Sequence, residues 1–259
     1  MGGAALALAL LFADSKGLES TRMMEIPHIA VGRVATDEPV VALTFDACAT
    51  GEQPNGFDRA VFDILKRQRV PATVFLSGRW IESHRDEARE LAATPWIEIG
   101  NHSYSHPRLT NVPPAKLFDE LSRTEELIGQ LGRHSVAFRP PAGVWDERIV
   151  KLAAEWRMPT VLWDVVSGDA GGHVPAATMV DVVSRTVRAG SIVIFHINGR
   201  GPFTKDALPV IIQNLRQRGF RFVRLSELLG MPGARPTTSP WIQAHKNKGI
   251  IDGTDGTEG

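Results

Sequence analysis

Between residues 39 and 230, short apolar runs rich in β-branched side chains alternate with longer amphipathic stretches, the pattern of a parallel α/β fold. The predicted strands are PVVALTF (39–45), ATVFLS (72–77), WIEIGN (96–101), VAFRP (136–140), TVLWDVV (160–166), SIVIFHI (191–197) and RFVRL (221–225). FDRAVFDILKRQR sets Phe57, Val61, Ile64 and Leu65 along one helical stripe. PAKLFDELSRTEELIGQLG does the same with Leu117, Leu121, Leu127 and Leu131 before a glycine stop. Each connection is long enough for a crossover helix, so residues 25–230 are expected to form a single α/β domain, a distorted (β/α)7-8 barrel.

The polar positions sharpen this picture. Asp46, Asn101 with His102, Arg139, Asp164 with Asp169, and His196 fall at or just past the carboxyl ends of predicted strands, the face on which such barrels carry their active sites. One aspartate after a strand is usually a helix cap, and one histidine is usually a satisfied core or surface residue. Five strand ends with polar chemistry point instead to one mouth.

Outside the barrel, MGGAALALALLFADSKG carries an apolar run from Ala4 to Ala13, the length of a signal-peptide core and too short to span a bilayer. Residues 1–24 are read as a signal peptide or N-terminal extension, although no Lys or Arg precedes the run, and the protein as exported, periplasmic or extracellular. Without a signal it would be cytoplasmic. Residues 231–259 lose periodicity and turn rich in Gly, Pro and Thr, which predicts a mostly disordered tail on which Trp241 and Ile242 could dock. The 259-residue chain carries 29 acidic and 29 basic residues, a balance that argues against a nucleic-acid partner and for a neutral polymer or small molecule. One cysteine excludes an intrachain disulfide framework and a Cys-based zinc knuckle. Stable membrane insertion is not expected.

Chemistry gathers in three stretches. NHSYSHP spaces His102 and His106 at i, i+4, which in a helical turn puts both imidazoles on one side, a geometry suited to one Zn²⁺. Asp46 at a neighbouring strand end adds a third donor, and three protein ligands plus water make a common open catalytic site. FRPPAG (138–143) is a rigid turn that gives Arg139 a fixed origin from which to pair with a carboxylate. SIVIFHINGRG sends His196 out of a buried strand into a loop carrying Asn198, where an imidazole can act as general acid or base.

Together these residues resemble the polysaccharide deacetylases with a NodB homology domain, carbohydrate esterase family 4. The resemblance covers about residues 38–230: TFDAC stands for TFDDG, HSYSH for HSxxH, RPPAG for RPPYG, WDVVSGDA for the Trp/Asp-rich fourth motif, and IVIFH for the final hydrophobic-x-His. It implies a distorted barrel that hydrolyses N-acetyl, sometimes O-acetyl, groups of chitin-like glycans or peptidoglycan with one divalent metal, zinc first and cobalt, manganese or nickel as alternatives. Asp46 matches the general base, His102 and His106 metal ligands, Arg139 the residue orienting the base, and His196 the general acid. Ala142, Trp163 and Asn198 are expected at the substrate, with the backbone near Ala142 helping to hold the oxyanion.

The chain departs from the motifs at Ala47, where the family has its third ligand, an aspartate. The site is then a two-histidine site completed by water, or takes Asp46 into the metal's shell, or draws a ligand from Cys48 or Asp169; Asp46 in metal or mixed duty is the first expectation. An aspartate restored at 47 should tighten metal binding. Val166 replaces an aspartate that tunes the final histidine, which leaves Asp164 or Asp169 as the partner of His196, and Ala170 and Ala142 replace aromatic walls. The competing readings are a metal-independent C–N hydrolase acting on a small amide and an inactive glycan-binding barrel.

Overall fold

The computed structural model describes residues 28–50, 56–238 and 242. The expected signal segment, Trp241 and most of the expected tail lie outside these residues. Strands β1 (Ala30–Val31), β2 (Arg33–Ala35) and β3 (Val40–Ala47) lead into α1 (Arg59–Gln68), β4 (Ala72–Leu76), α2 (Gly78–Ser83), α3 (Arg85–Ala93) and β5 (Ile97–Asn101). Then come α4 (Pro114–Gln130), α5 (Glu147–Glu155), β6 (Thr160–Val161), β7 (Val165–Val166), α6 (Ala176–Thr186) and β8 (Ser191–His196). The order ends with α7 (Thr204–Gln217), β9 (Arg221–Phe222), α8 (Leu225–Leu229) and β10 (Arg235–Thr237).

β3 is the middle of the parallel sheet, paired on one side with β4 and on the other with β8. All of its positions are buried, as befits a strand covered on both faces. Its side chains sort by parity. Val41, Leu43, Phe45 and Ala47 enter an outer cluster with Val61, Phe62 and Leu65 of α1 and Leu208, Ile211 and Ile212 of α7. Val40 and Ala42 enter an inner cluster with Phe138, Ile192 and Ile194. Thr44 and Asp46 share that inward parity, and so does His196 on β8, whose Ile192 and Ile194 face in while Val193 and Phe195 face out. Each apolar side chain of α1 buried in the outer layer contributes about 1.5–3 kcal/mol.

The ring continues from β5 through a bridge at Phe138 to β6, and β7 pairs back onto β8. The barrel therefore closes along a seam, residues 160–166, whose paired stretches are only two residues long at each end. Arg139 laces this seam from inside, donating from Nη2 to the Leu162 carbonyl at 3.0 Å.

Three expected strands are shorter than the apolar runs suggest. The 136–140 run reduces to the Phe138 bridge because Pro140 and Pro141 offer no N–H to a ladder. The 160–166 run splits into β6 and β7, and the 221–225 run stops at Phe222 before Leu225 opens α8. The disordered-tail expectation is corrected at its start: β10 pairs antiparallel with β2 at the sheet's edge, where Pro236 is tolerated. Ile242 is buried against Gly32, a position where a Cβ would overlap its side chain. Among the described residues no helix is long and apolar enough to cross a membrane.

Candidate active site

The β3–β8 register sets Asp46 directly beside His196. Asp46 is 3% exposed, and its Oδ1 accepts from Arg139 Nη1 at 2.8 Å while Oδ2 lies 3.5 Å from His102 Nε2. Arg139 is fully buried between aromatic rings, its guanidinium 4.1 Å from the Phe75 centroid and 5.3 Å from that of Trp163. Its Nη2 also donates to Thr44 Oγ1 at 2.8 Å, and Thr44 in turn donates to the Val193 carbonyl at 2.7 Å. Burial alone would raise the Asp46 carboxyl, but the positive charge and hydrogen bond of Arg139, with His102 and His196 beside it, hold it below the usual aspartate value. Asp46 is thus a carboxylate kept ionised in a nearly dry site.

The two histidines come together, but not through a helical turn. Residues 102–106 form an irregular loop with Ser103 at φ 60° and His106 at φ 56°, both left-handed. The rings nonetheless meet edge to face with centroids 4.9 Å apart. Neighbouring elements enforce this unusual path. Glu120 of α4 accepts from Tyr104 N (2.9 Å), Ser105 N (2.7 Å) and Ser105 Oγ (2.7 Å). Asn101 Oδ1 accepts from Ser103 N at 3.0 Å, and the first N–H groups of α2 donate to the carbonyls of Ser103 and Tyr104. His102 Nδ1 donates to the Arg139 carbonyl at 2.7 Å, so its Nε2 carries the lone pair. Burial keeps His102 neutral against the pull of Asp46, and burial with the neighbouring His102 pushes His106 down to about 3.

One ligand atom each of Cys48, His102 and His106 lie within 4.8 Å of one another. A thiol sulfur and two neutral imidazole nitrogens fit the donor set of a zinc-type divalent ion. Asp46, the first expectation for a third donor, is outside this group.

His196 is tied to Asp169, not to Asp164. Its Nδ1 lies 3.0 Å from Asp169 Oδ1, and its backbone N donates to Asp169 Oδ2 at 2.6 Å. Ser167 Oγ (3.0 Å) and Thr204 Oγ1 (3.2 Å) complete the cradle, over which Gly201 leaves no space for a Cβ. Burial disfavours the charged imidazole, yet the charge and hydrogen bond of Asp169, with Asp46 adding to them, raise His196 above its ordinary value. Asp164 was expected at the mouth and is elsewhere. It accepts from Ile192 N (2.8 Å) and Ser191 Oγ (3.0 Å), at the opposite end of β8 from His196.

Of the residues expected at the substrate, Ala142 is exposed, in a left-handed turn at φ 52°. Trp163 is buried behind Arg139, and Asn198 is buried with Nδ2 donating to the Cys48 carbonyl (2.8 Å) and to Cys48 Sγ (3.3 Å). Neither side chain is exposed at the mouth. Sequence reasoning missed Thr44, although it stands two residues before Asp46 on the same face of β3, and Glu120, which has no local signal.

A family model described as polysaccharide deacetylase matches residues 33–161. The chain is 29% identical to an uncharacterized protein, YlxY, of Bacillus subtilis (strain 168) over 74% of its own length and 58% of that protein's. It is 35% identical to a peptidoglycan-N-acetylglucosamine deacetylase of Bacillus cereus, over 73% of this chain and 67% of the relative. Among solved structures, a CE4 family pseudoenzyme from Bacillus anthracis superposes with a TM-score of 0.71 at 27% identity, covering 79% of this chain and 70% of that one. The crystal structure of a peptidoglycan N-acetylglucosamine deacetylase superposes with a TM-score of 0.70 at 32% identity, covering 76% and 91%. From its motifs, its barrel and these likenesses, the chain belongs to the polysaccharide deacetylase family, carbohydrate esterase family 4.

Proposed function

We propose that the protein removes acetyl groups, N-acetyl above all, from a glycan such as peptidoglycan or a chitin oligomer, outside the cytoplasm. One observation carries this reading. Adjacent residues of β3 and β8 are pushed in opposite directions, Asp46 held ionised by Arg139 and His196 held toward its protonated form by Asp169. Titratable neighbours with divergent environments mark a base and an acid working on one bond.

In this reading Asp46 takes a proton from the attacking water, and Arg139 keeps the carboxylate oriented and charged between turnovers. His196, its Nδ1 held by Asp169, presents Nε2 to the leaving amine and gives it a proton. Ala142 lies in the exposed left-handed turn, where backbone N–H groups can meet the negative oxygen that develops on the acetyl carbon. A divalent ion, zinc by donor type, would be held by His102 and His106. When bound it supplies Lewis-acid polarisation of the acetyl carbonyl and a more acidic water.

The likeness to a pseudoenzyme and the alanine at 47 favour a second reading, a glycan-binding barrel without turnover. Acetate release from N-acetylated peptidoglycan and chitin oligomers decides between them. The hydrolase reading expects release that stops with chelator and is abolished in His102→Ala and His106→Ala. No release by zinc-loaded protein supports the inactive barrel, and full activity of metal-free protein supports a metal-independent amide hydrolase.

A further inference from the structure

We infer that Cys48 is the third protein donor to the ion at His102 and His106, bound through its thiolate, and that Asp46 stays outside the ion's shell as base alone. The reading above supplies the reason an ion is needed; the ligand assignment stands on geometry of its own. Inward positions on β3 fall at every second residue, and Cys48 continues the series of Thr44 and Asp46 just past the strand's end, whereas Ala47 belongs to the outer cluster under the helices. The residue in phase with the site is therefore 48, not 47.

The three donor atoms already converge to within 4.8 Å of one another. A tetrahedral ion with bonds of about 2.0–2.3 Å needs ligand atoms ~3.4–3.8 Å apart, so closure asks for shifts of about 1 Å or less. Asp46 has Oδ1 committed to Arg139 at 2.8 Å, and although its Oδ2 lies 3.5 Å from His102 Nε2, it does not join the group that Cys48, His102 and His106 form.

Asn198 supplies a second, independent sign. It is fully buried, and its Nδ2 anchors the Cys48 carbonyl at 2.8 Å while directing an N–H at Sγ at 3.3 Å. Such a donor fixes the side chain's direction and stabilises a sulfur anion, as outer partners do for coordinating atoms. Charge points the same way. Asp46 and Arg139 neutralise each other, two imidazoles are neutral, and a thiolate removes one of the ion's two positive charges from a nearly dry pocket. A sulfur and two imidazoles also select zinc or cobalt over magnesium, calcium or manganese.

The test reads ligand identity directly. X-ray absorption of the zinc-loaded wild-type protein should show one sulfur scatterer at about 2.3 Å. The cobalt-loaded protein should carry an intense thiolate-to-cobalt band in the near ultraviolet. This cysteine is the chain's only one, which makes its sulfur the only thiolate source. Cys48→Ser should lose the band and weaken zinc binding beyond the roughly 10–100-fold that loss of an outer partner costs. Cys48→Asp should bind zinc without the band. A zinc shell of nitrogen and oxygen alone, or no stoichiometric zinc binding, overturns the inference whether or not the variants fold. Acetate release, measured separately, keeps the two readings distinct: sulfur in the shell without release sinks the deacetylase proposal, and release with no sulfur sinks this one.

Discussion

Replacing Arg139 by Met tests whether the base is held by its buried partner. The substitution keeps an unbranched side chain between Phe75 and Trp163 but removes the charge facing Asp46 and the donors to Thr44 Oγ1 and the Leu162 carbonyl. Arg139 is fully buried and Asp46 nearly so, so the variant strands a carboxylate without its counter-charge, a change that costs about 3–5 kcal/mol. At about 2–4 °C per kcal/mol for a domain of this size, the melting temperature at neutral pH should fall by about 6–20 °C. The pH dependence has a definite sign. In the wild type the Asp46 carboxyl is depressed, so the pair's stabilisation is present above the titration of an unfolded aspartate and is lost as pH falls through the folded value. In Arg139→Met burial acts on Asp46 with less opposition and its carboxyl rises. The gap between variant and wild type should therefore be widest at neutral pH and narrow toward acid. Asp46→Asn/Arg139→Met should be more stable than Arg139→Met alone. Denaturant melts of the four proteins at neutral and acid pH complete the cycle. A loss below about 1 kcal/mol at neutral pH, or a double variant no better than Arg139→Met, would refute the assignment of Arg139 as the charge that keeps Asp46 ionised.

Three further outcomes are expected. Asp169→Asn removes the carboxylate that raises His196, so the alkaline limb of the kcat profile should move to lower pH and kcat should drop, by less than the ~10²–10⁴-fold expected for losing the acid altogether in His196→Ala; an unmoved limb would count against His196 as the acid. Ala47→Asp should not tighten zinc binding as the motif comparison suggests, but should lower the stability of metal-free protein by several kcal/mol, because position 47 lies in the apolar outer cluster. Calorimetry showing tenfold tighter zinc would return position 47 to the site. Glu120→Leu removes both acceptor oxygens that hold Tyr104 and Ser105, and zinc affinity should fall by roughly 10–100-fold with the ligands themselves intact; unchanged affinity would mean that the loop keeps its path without this carboxylate.

What was legible in the chain follows from the kind of structure each residue sits in. β3, β4, β5 and β8 are strands buried along their whole length, which appear in sequence as mostly apolar runs, and Asp46, Asn101, His102 and His196 do stand at or next to their carboxyl ends. The seam was not legible, since two-residue pairings carry no period, and that is why Asp164 looked like a strand end at the mouth when it binds the start of β8. The i, i+4 spacing of the histidines expected two rings side by side, and they are, but on a different backbone from the helical turn it assumed. Left-handed residues at Ser103 and His106 are imposed by Glu120 and the start of α2, contacts from elsewhere in the chain. Thr44 and Cys48 could have been weighed more heavily by counting in twos from Asp46.

The lacing of the barrel seam by Arg139 bears on how this fold ages. A residue that binds Asp46, Thr44 and the Leu162 carbonyl at once is retained by selection for folding even in a lineage that has stopped hydrolysing anything. Taken alone, without the His196–Asp169 pair on the neighbouring strand, the Asp46–Arg139 couple is then a poor marker of a living enzyme, and a family member that has lost turnover should still display it. His106 offers the sharper diagnosis: it holds a left-handed backbone beside the mouth and is only partly buried, an arrangement that folding alone gives little reason to preserve. In this barrel the silent descendants should be sought by what stands at positions 48, 106 and 169, not by whether the buried arginine has survived.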